Sequence, residues 1–584
     1  GTRVRAPLHG RSVRGWVVGT DASAPTGMDL LPLKSWLGWG PPPSVVDLAE
    51  WAAWRWAGPQ SFFLRVASPD TVARMLPRPP SPTVPSRGGR AGAGTIAGIA
   101  LAEWDEARAQ AGTTLVRVPP ATDLIDLVLS VIDGARPAEP GQPESVIVLV
   151  PSSGWAQRLA ARLRGRDIAV ARSWEEARAG WPVVVGSRAG AWAPVPRLAA
   201  AVVLDAHDAA YREESAPTYS AVDVLAERAR RAGAPCILVS PIPPVALAGP
   251  VPTRTVAPTG VAERAGWPAV EIVDRRLADP RTGLFSEEFV RVARTALEAA
   301  STQDGPVVCV YNRTGGARLL ACGNCGELAR CARCGAAVSQ PRGEALLRCP
   351  RCDATRPVVC TACGRLRMKT LRVGVSRLRE EIAALLGTDV GEVTGASPES
   401  DDPFDPAGPR VLVGTEAVLH RTRRAAAVVF LDIDLHLLAP RLSATEETMG
   451  LLVRGGRLVG GRGVRGPWAR VLVQTRVPEH PALRAATRGE PSPVLDDELA
   501  VRRASGLPPF SALALVSGAL APAYAEALGH AGGDDAPATI DVTPLDADRY
   551  LVRADDHAGL CDTLARTPRP AGRGLRVEVD PQSL

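Results

Sequence analysis

Five short apolar runs, "TLVRV", "SVIVLV", "PVVVG", "AAVVLD" and "CILVS", recur between residues 113 and 250 with helical patterning between them. Strands that are apolar on both faces belong in a parallel sheet covered by helices on either side. A second unit of the same kind begins near residue 268 with "AVEIVD", "PVVCVYN", "RVLVG" and "AVVFLDID". An α/β fold with two lobes is therefore expected. A chain of 584 residues has room for three or more domains. No charge-free apolar run reaches about eighteen residues, so no membrane span is expected.

The second unit is interrupted by cysteines. Eight of the eleven fall within residues 322–363 as four C-x-x-C pairs: Cys322 and Cys325, Cys331 and Cys334, Cys349 and Cys352, Cys360 and Cys363. Each pair makes a knuckle that aims two thiolates at one ion, and two knuckles complete a tetrahedral site. The pattern predicts two zinc ions in closed, structural sites. Four disulfides would need an oxidising compartment, and residues 1–20 carry no signal-peptide pattern. The spacing is not a ferredoxin-type iron–sulfur pattern. The segment has little apolar content, so metal is expected to supply its folding energy, on the order of 10 kcal/mol per ion. Residues 322–367 also carry eight arginines against Glu327, Glu344 and Asp353. Two tetrathiolate zinc centres contribute about −4. The arginines read equally well as counter-charge or as a DNA-binding patch. Cys236, Cys309 and Cys561 stand alone in apolar surroundings and read as buried thiols.

Net charge is +6, and nearly all of the basic residues are arginine. Only Lys34 and Lys369 are lysines. A two-lobed nucleic-acid motor needs a lysine within G-x-x-x-x-G-K-[ST], and neither lysine has that context. The loop after "TLVRV" instead holds Pro119, Pro120 and Thr122, and proline has no N–H to offer a phosphate. The acidic motif reads "VVLDAHDAAY", with Asp205, His207 and Asp208 and no glutamate to activate water. A cap cluster at a strand end explains those residues better than catalysis does.

Towards the N-terminus, alternation around Val4 and Trp16–Val18 predicts two antiparallel strands with a turn at His9–Arg11. Residues 44–75 read as helical, with Trp51, Trp54 and Trp56 in core or interdomain packing. Residues 78–99 are rich in Pro, Ser and Gly and read as a flexible linker. Residues 490–584 read as a small α+β domain.

The stretch "YNRTGGARLLACGNCGELARCARC…LRCPRCDATRP…CTACG" at 311–364 resembles the primosomal protein N′ family, the PriA replication-restart helicases. "DAHDAAYREE" is similar to the family's acidic box, and "LVSPIPP" at 238–244 sits where a G-S-A-T-P motif is expected. "VLVGTEAVL", "FLDIDLHLLAPRLSATE", "VQTRVPEHPAL" and "ASGLPPF" follow in order. The resemblance implies two RecA-like helicase lobes, with a double-zinc insertion in the second. It also implies a small β-rich N-terminal DNA-binding domain and an α+β C-terminal domain. The expected bounds are 1–77 for the N-terminal domain, truncated relative to the family, and 78–112 for a linker or winged-helix remnant. Lobe one is expected over 113–257, and lobe two over 258–318 and 368–490 around a zinc module at 319–367. The C-terminal domain is expected over 491–584.

By the family's nested pattern, Cys322, Cys325, Cys360 and Cys363 hold one zinc, and Cys331, Cys334, Cys349 and Cys352 hold the other. Arg3, Arg5, Lys34 and Arg313 are expected at DNA. Pro119, Pro120, Thr122, Asp205, His207 and Arg457 mark a degenerate nucleotide site, Arg457 matching the first arginine of the family's G-R-A-G-R. The implied role is binding of abandoned or stalled forks, primosome assembly and loading of the replicative helicase. The expected partners are forked or single-stranded DNA, primosome proteins and the replicative helicase, with no membrane, for a cytoplasmic, nucleoid-associated monomer. The family is an ATP-dependent DNA helicase. Without the Walker A lysine and the DExH glutamate, ATP-driven unwinding is not expected of this chain. The alternatives are an active 3′-5′ helicase with a non-standard nucleotide site, and a zinc-dependent protein-interaction module.

Overall fold

The computed structural model describes the chain except residues 21–30, 81–93, 136–142, 249–252, 277, 279–283, 312–319, 334, 341–345, 350–351, 353, 371–374, 395–407, 532–538 and 583–584. Two six-stranded parallel sheets form its centre. In the first, the order is Arg254–Val256, Gly112–Arg117, Pro235–Ser240, Leu198–Leu204, Ser145–Leu149 and Val183–Gly186. In the second it is Ala269–Asp274, Arg470–Thr475, Ala427–Phe430, Val307–Val310, Val411–Gly414 and Val390–Val393. All five apolar runs of the first unit and all four of the second become strands. Their two-sided apolar character is used as expected: Val146–Val150 and Val307–Val310 are buried throughout. We call these sheets and their flanking helices the first and second lobes.

An antiparallel three-stranded sheet, Arg11–Trp16, Arg3–Leu8 and Ser35–Gly38, opens the chain. Its first two strands turn at His9 and Gly10, both at positive φ. The helices Pro43–Arg55 and Gln60–Val66 follow. Trp56 is buried 6.2 Å from Tyr219 of the first lobe, while Trp54 donates its indole N–H to Asp562 of the C-terminal unit at 2.9 Å. That unit is an antiparallel sheet in the order Ile540–Asp546, Arg549–Ala554, Ala512–Ser517 and Arg576–Val579. The N-terminal helices, one face of the first sheet and the C-terminal sheet share one apolar core.

The expected linker is shorter than its composition suggests. Residues 81–93 lie outside the described residues, but Thr95–Ala100 make a small hairpin and Leu101–Ala109 a helix. Ile99, Trp104 and Ala107 are fully buried against the other face of the first sheet. The Trp104 indole N–H donates to Ser130 at 2.8 Å. Ile99, Trp104 and Ala107 anchor this stretch, and a composition argument averages such scattered residues away. Among the described residues no helix is long and apolar enough to cross a membrane.

Candidate functional site

The cysteine segment is built from one repeated turn. The backbone N–H of each leading cysteine donates to the carbonyl five residues on: Cys322 to Glu327, Cys331 to Ala336, Cys349 to Ala354 and Cys360 to Arg365, at 2.8–2.9 Å. Gly326, Gly335 and Gly364 close three of these turns at φ of 77°, 73° and 71°, where a β-carbon is strained. The turns bring the first pair beside the fourth. The Sγ atoms of Cys322, Cys325, Cys360 and Cys363 all lie within 4.8 Å of one another, with Cys322–Cys363 at 3.5 Å and Cys325–Cys360 at 3.6 Å. Cys331, Cys349 and Cys352 form a second group, with Cys331–Cys352 at 3.5 Å. Cys334 lies outside the described residues.

Four thiolates about 2.3 Å from a shared ion stand roughly 3.8 Å apart, and a disulfide requires about 2.0 Å. The observed spacing fits the first, and the described cysteines are free thiols. Each cluster can hold a metal ion. The Arg365 backbone N–H, then the Cys325 thiol, lower Cys363, while the neighbouring thiols and desolvation raise Cys325 against the Glu327 backbone N–H, so the four thiols share their protons as one coupled group. A small apolar core of Leu320, Ala329, Ala336, Val338 and Leu347 backs the second cluster. Cys236, Cys309 and Cys561 are fully buried, and burial pushes them up to about 12, 12 and 11.

The helix Ala444–Val459 of the second lobe faces the end of strand Leu198–Leu204 in the first. Gly456 lets it pack against Pro268 of its own lobe, where a β-carbon would lie 2.9 Å away, and Pro120 of the first lobe stands at ordinary contact distance, 3.5 Å. Arg457 reaches across and chelates Asp205, Nη1 to Oδ2 at 2.5 Å and Nη2 to Oδ1 at 2.8 Å. Its Nε donates to the Pro120 carbonyl at 3.3 Å, and its guanidinium lies 5.3 Å from the Trp155 ring. Burial by itself would raise the Asp205 carboxyl; the charge and hydrogen bonds of Arg457 outweigh it and bring Asp205 to about 2. One turn earlier, Arg454 pairs with Asp208 and, at 2.7 Å, with Glu416.

The loop below this pair has little left to offer a phosphate. Pro119 and Pro120 have no N–H. The N–H of Ala121 donates to the Gly266 carbonyl and that of Thr122 to the Pro119 carbonyl, both at 3.1 Å. Asp123 is held by Arg162 at 2.6 and 3.0 Å. His207 is half-buried, and its loss of solvent lowers its pKa. Ser240 gives its hydroxyl proton to the Ile242 carbonyl, so it accepts from His207 Nδ1–H at 2.9 Å. His207 Nε2 has no hydrogen-bond partner among the described residues.

Pro120, Thr122, Asp205 and Arg457 thus share one interlobe cleft or its wall, while His207 lies behind it against Ser240. Arg454, Glu416 and Trp155 were missed. The sequence carried a signal for the first, because Arg454 and Arg457 are three apart and stack on one helix face. Of the residues expected at DNA, Arg3 donates to the carbonyls of Pro69 and Thr71 at 3.0 and 2.9 Å, which ties the N-terminal sheet to the chain after Gln60–Val66. Arg5 stands opposite Arg14 on the neighbouring strand. Lys34 is exposed, with its N–H on the Arg5 carbonyl at 2.8 Å. Arg313 lies outside the described residues.

No family model matches the chain. Replication restart protein PriA of Bacillus subtilis is 25% identical over 406 residues, covering 64% of this chain and 49% of that protein. The Synechocystis protein of the same name is 28% identical over 417 residues, covering 64% of this chain and 49% of its own length. The chain therefore spans about half the length of these curated relatives. The probable replication restart protein PriA of Mycobacterium leprae is 27% identical over 674 residues, covering 100% of this chain and 96% of that protein. Among solved structures, S. cerevisiae Dbp5 bound to RNA and ADP BeF3 aligns with a TM-score of 0.35 at 11% identity, covering 67% of this chain and 89% of that one. With the ordered motifs, the double cysteine cluster within the second lobe and these relatives, the chain is a divergent member of the PriA replication-restart family.

Proposed function

We propose that the chain is a zinc-stabilised replication-restart scaffold. It binds abandoned or stalled forks and single-stranded DNA. It promotes primosome assembly and loading of the replicative helicase, and it does not unwind DNA by hydrolysing ATP. The observation that carries this reading is Arg457 chelating Asp205 beside Pro120. The acidic group that a motor would present to Mg²⁺ is neutralised by the protein's own guanidinium, beside a loop with two prolines and no lysine. The similarity to replication restart proteins supports the replication-restart role.

Zinc is the ion that suits the cysteine clusters. All of the candidate ligands are thiolates, and four-coordinate sulfur sites select zinc or iron–sulfur centres. Cys322, Cys325, Cys360 and Cys363 would hold one ion, and Cys331, Cys334, Cys349 and Cys352 the other. Their contribution is to fold the segment. The protein acts as a monomer in the cytoplasm, at the nucleoid.

An active helicase with a non-standard nucleotide site is the second reading. A cleft of about 390 Å³ beside the Arg457–Asp205 pair, lined by Trp155, Arg158, Arg162 and Arg423, favours it. A fluorescent ATP analogue titrated with Mg²⁺ separates the two. The scaffold reading expects no saturable binding in the micromolar range and no DNA-stimulated phosphate release. Either one would favour the second reading.

A further inference from the structure

The helix Ala444–Val459 of the second lobe meets the first lobe at four places along its length. Glu446 accepts the Val245 backbone N–H at 2.8 Å. A β-carbon on Gly450 would lie 3.4 Å from Cδ2 of His207. Arg454 pairs with Asp208, and Arg457 with Asp205. Positions 446, 450, 454 and 457 fall within about 80° of one another around a helix, so every one of these contacts lies on one face.

The surface beneath that face is the carboxyl end of the first sheet. Asp205, His207 and Asp208 follow the strand Leu198–Leu204, and Val245 follows its neighbour Pro235–Ser240. Those are the two middle strands of the six. Open α/β sheets receive their ligands in the crevice outside such strand ends. In this chain a helix of the other lobe lies across it. A tight turn holds both carboxylates there: Asp205 sits at φ 54°, and the Asp208 N–H returns to the Asp205 carbonyl at 2.8 Å. Aspartate tolerates that left-handed backbone better than most residues do.

Apolar and polar contacts extend the same junction. Ile242, two residues beyond the strand Pro235–Ser240, is buried within the apolar core of the second lobe. Arg502 donates to the Leu442 carbonyl at 2.7 Å, just before the helix, and to the Pro508 carbonyl at 3.2 Å. The start of the helix is thereby tied to the segment that leads into the C-terminal sheet. A helix of 16 residues is stiff. It cannot turn one of its contacts away and keep the others, so each holds the rest at high effective concentration.

We propose that the helix Ala444–Val459 is a resident clasp, which fills the crevice at the two middle strands and holds the lobes as one fixed body before any ligand arrives. Loss of nucleotide chemistry alone does not require this, because a two-lobed frame without nucleotide can still open and close. With the clasp in place the cleft beside the Arg457–Asp205 pair keeps its shape whether or not it is entered. The outer surfaces of the two lobes then stand at constant spacing.

The test is single-molecule energy transfer on the full chain. Dyes are carried on p-acetylphenylalanine introduced at Arg230 in the first lobe and at Arg377 in the second, both exposed on helices. One narrow transfer population is expected, unchanged by AMP-PNP with Mg²⁺ and by oligothymidylate. Gly450→Leu sets a wedge against His207 and keeps every charge. Asp205→Asn combined with Asp208→Asn keeps the shape and removes both charges. Each is expected to split or broaden the population and to raise amide exchange of 444–459 on the order of tenfold. Zinc content and far-UV circular dichroism equal to wild type certify folding, and the wild-type measurement stands even where a variant does not fold. A wild type that samples two populations, or that shifts with either addition, would overturn the proposal. Folded variants with the wild-type population and exchange rate would overturn it as well. Lobes that move without binding nucleotide leave the scaffold reading standing, whereas micromolar nucleotide binding to lobes that stay fixed removes that reading and keeps the clasp.

Discussion

Arg457 and Asp205, 252 positions apart in the chain, meet in a two-pronged ion pair that joins the lobes. The Asp205 side chain is 3% exposed and that of Arg457 27%. A carboxylate this deeply buried is tolerated only because the guanidinium satisfies both of its oxygens.

Removing one partner should therefore cost more than removing both. Arg457→Ala strands the Asp205 charge and is expected to destabilise the protein by about 3 kcal/mol, the usual scale for breaking a buried pair. Asp205→Ala together with Arg457→Ala should recover about 1–3 kcal/mol of the summed single losses. Urea denaturation of the four proteins in the cycle measures the coupling. Strict additivity would mean the pair does not join the lobes.

Acid should weaken the same junction. Asp205 is brought to about 2 in the folded protein against an ordinary carboxylate value near 4. Its stabilisation is present above about pH 4 and is lost as pH falls towards 2, on the order of 2 kcal/mol in all. His207 acts in the same direction at milder pH. Its folded pKa is lowered, so stability present above about 6.5 declines below it as the unfolded state takes up the proton. Stability followed from pH 8 to 3 should show a shallower acid limb in Asp205→Asn, and a flatter slope just below 6.5 in His207→Gln.

The metal prediction concerns stoichiometry. Two zinc ions per chain are expected by elemental analysis, falling to one in Cys331→Ala and in Cys322→Ala, with local unfolding of the segment. The loss is on the order of 10 kcal/mol of metal-coupled folding per site. Binding should release protons and weaken in acid, because the ligands are thiolates. Two ions retained in either variant would refute the ligand sets.

Trp104 tests the stretch after residues 81–93. Trp104→Ala deletes a fully buried indole and its bond to Ser130. A loss of about 3–5 kcal/mol is expected from chemical denaturation. A change below about 0.5 kcal/mol would mean that Leu101–Ala109 is a tether and no part of the core.

The residues alone were sufficient wherever the relevant physics is local. Strands with two apolar faces require a parallel sheet covered on both sides, and the runs from "TLVRV" to "CILVS" became one. C-x-x-C knuckles close by backbone hydrogen bonds spanning five residues, so the cysteine turns could be read from spacing. The lysine census, too, needed no coordinates. Tertiary structure decided what depends on distant partners. It gave Arg457 to Asp205 and Arg454 to Asp208, and tied Arg3 to Pro69 and Thr71. An arginine's neighbours within the chain are a weak guide to its ion-pair partner: its long, flexible side chain can meet any carboxylate the fold brings within reach, and the docking of the two lobes chose which.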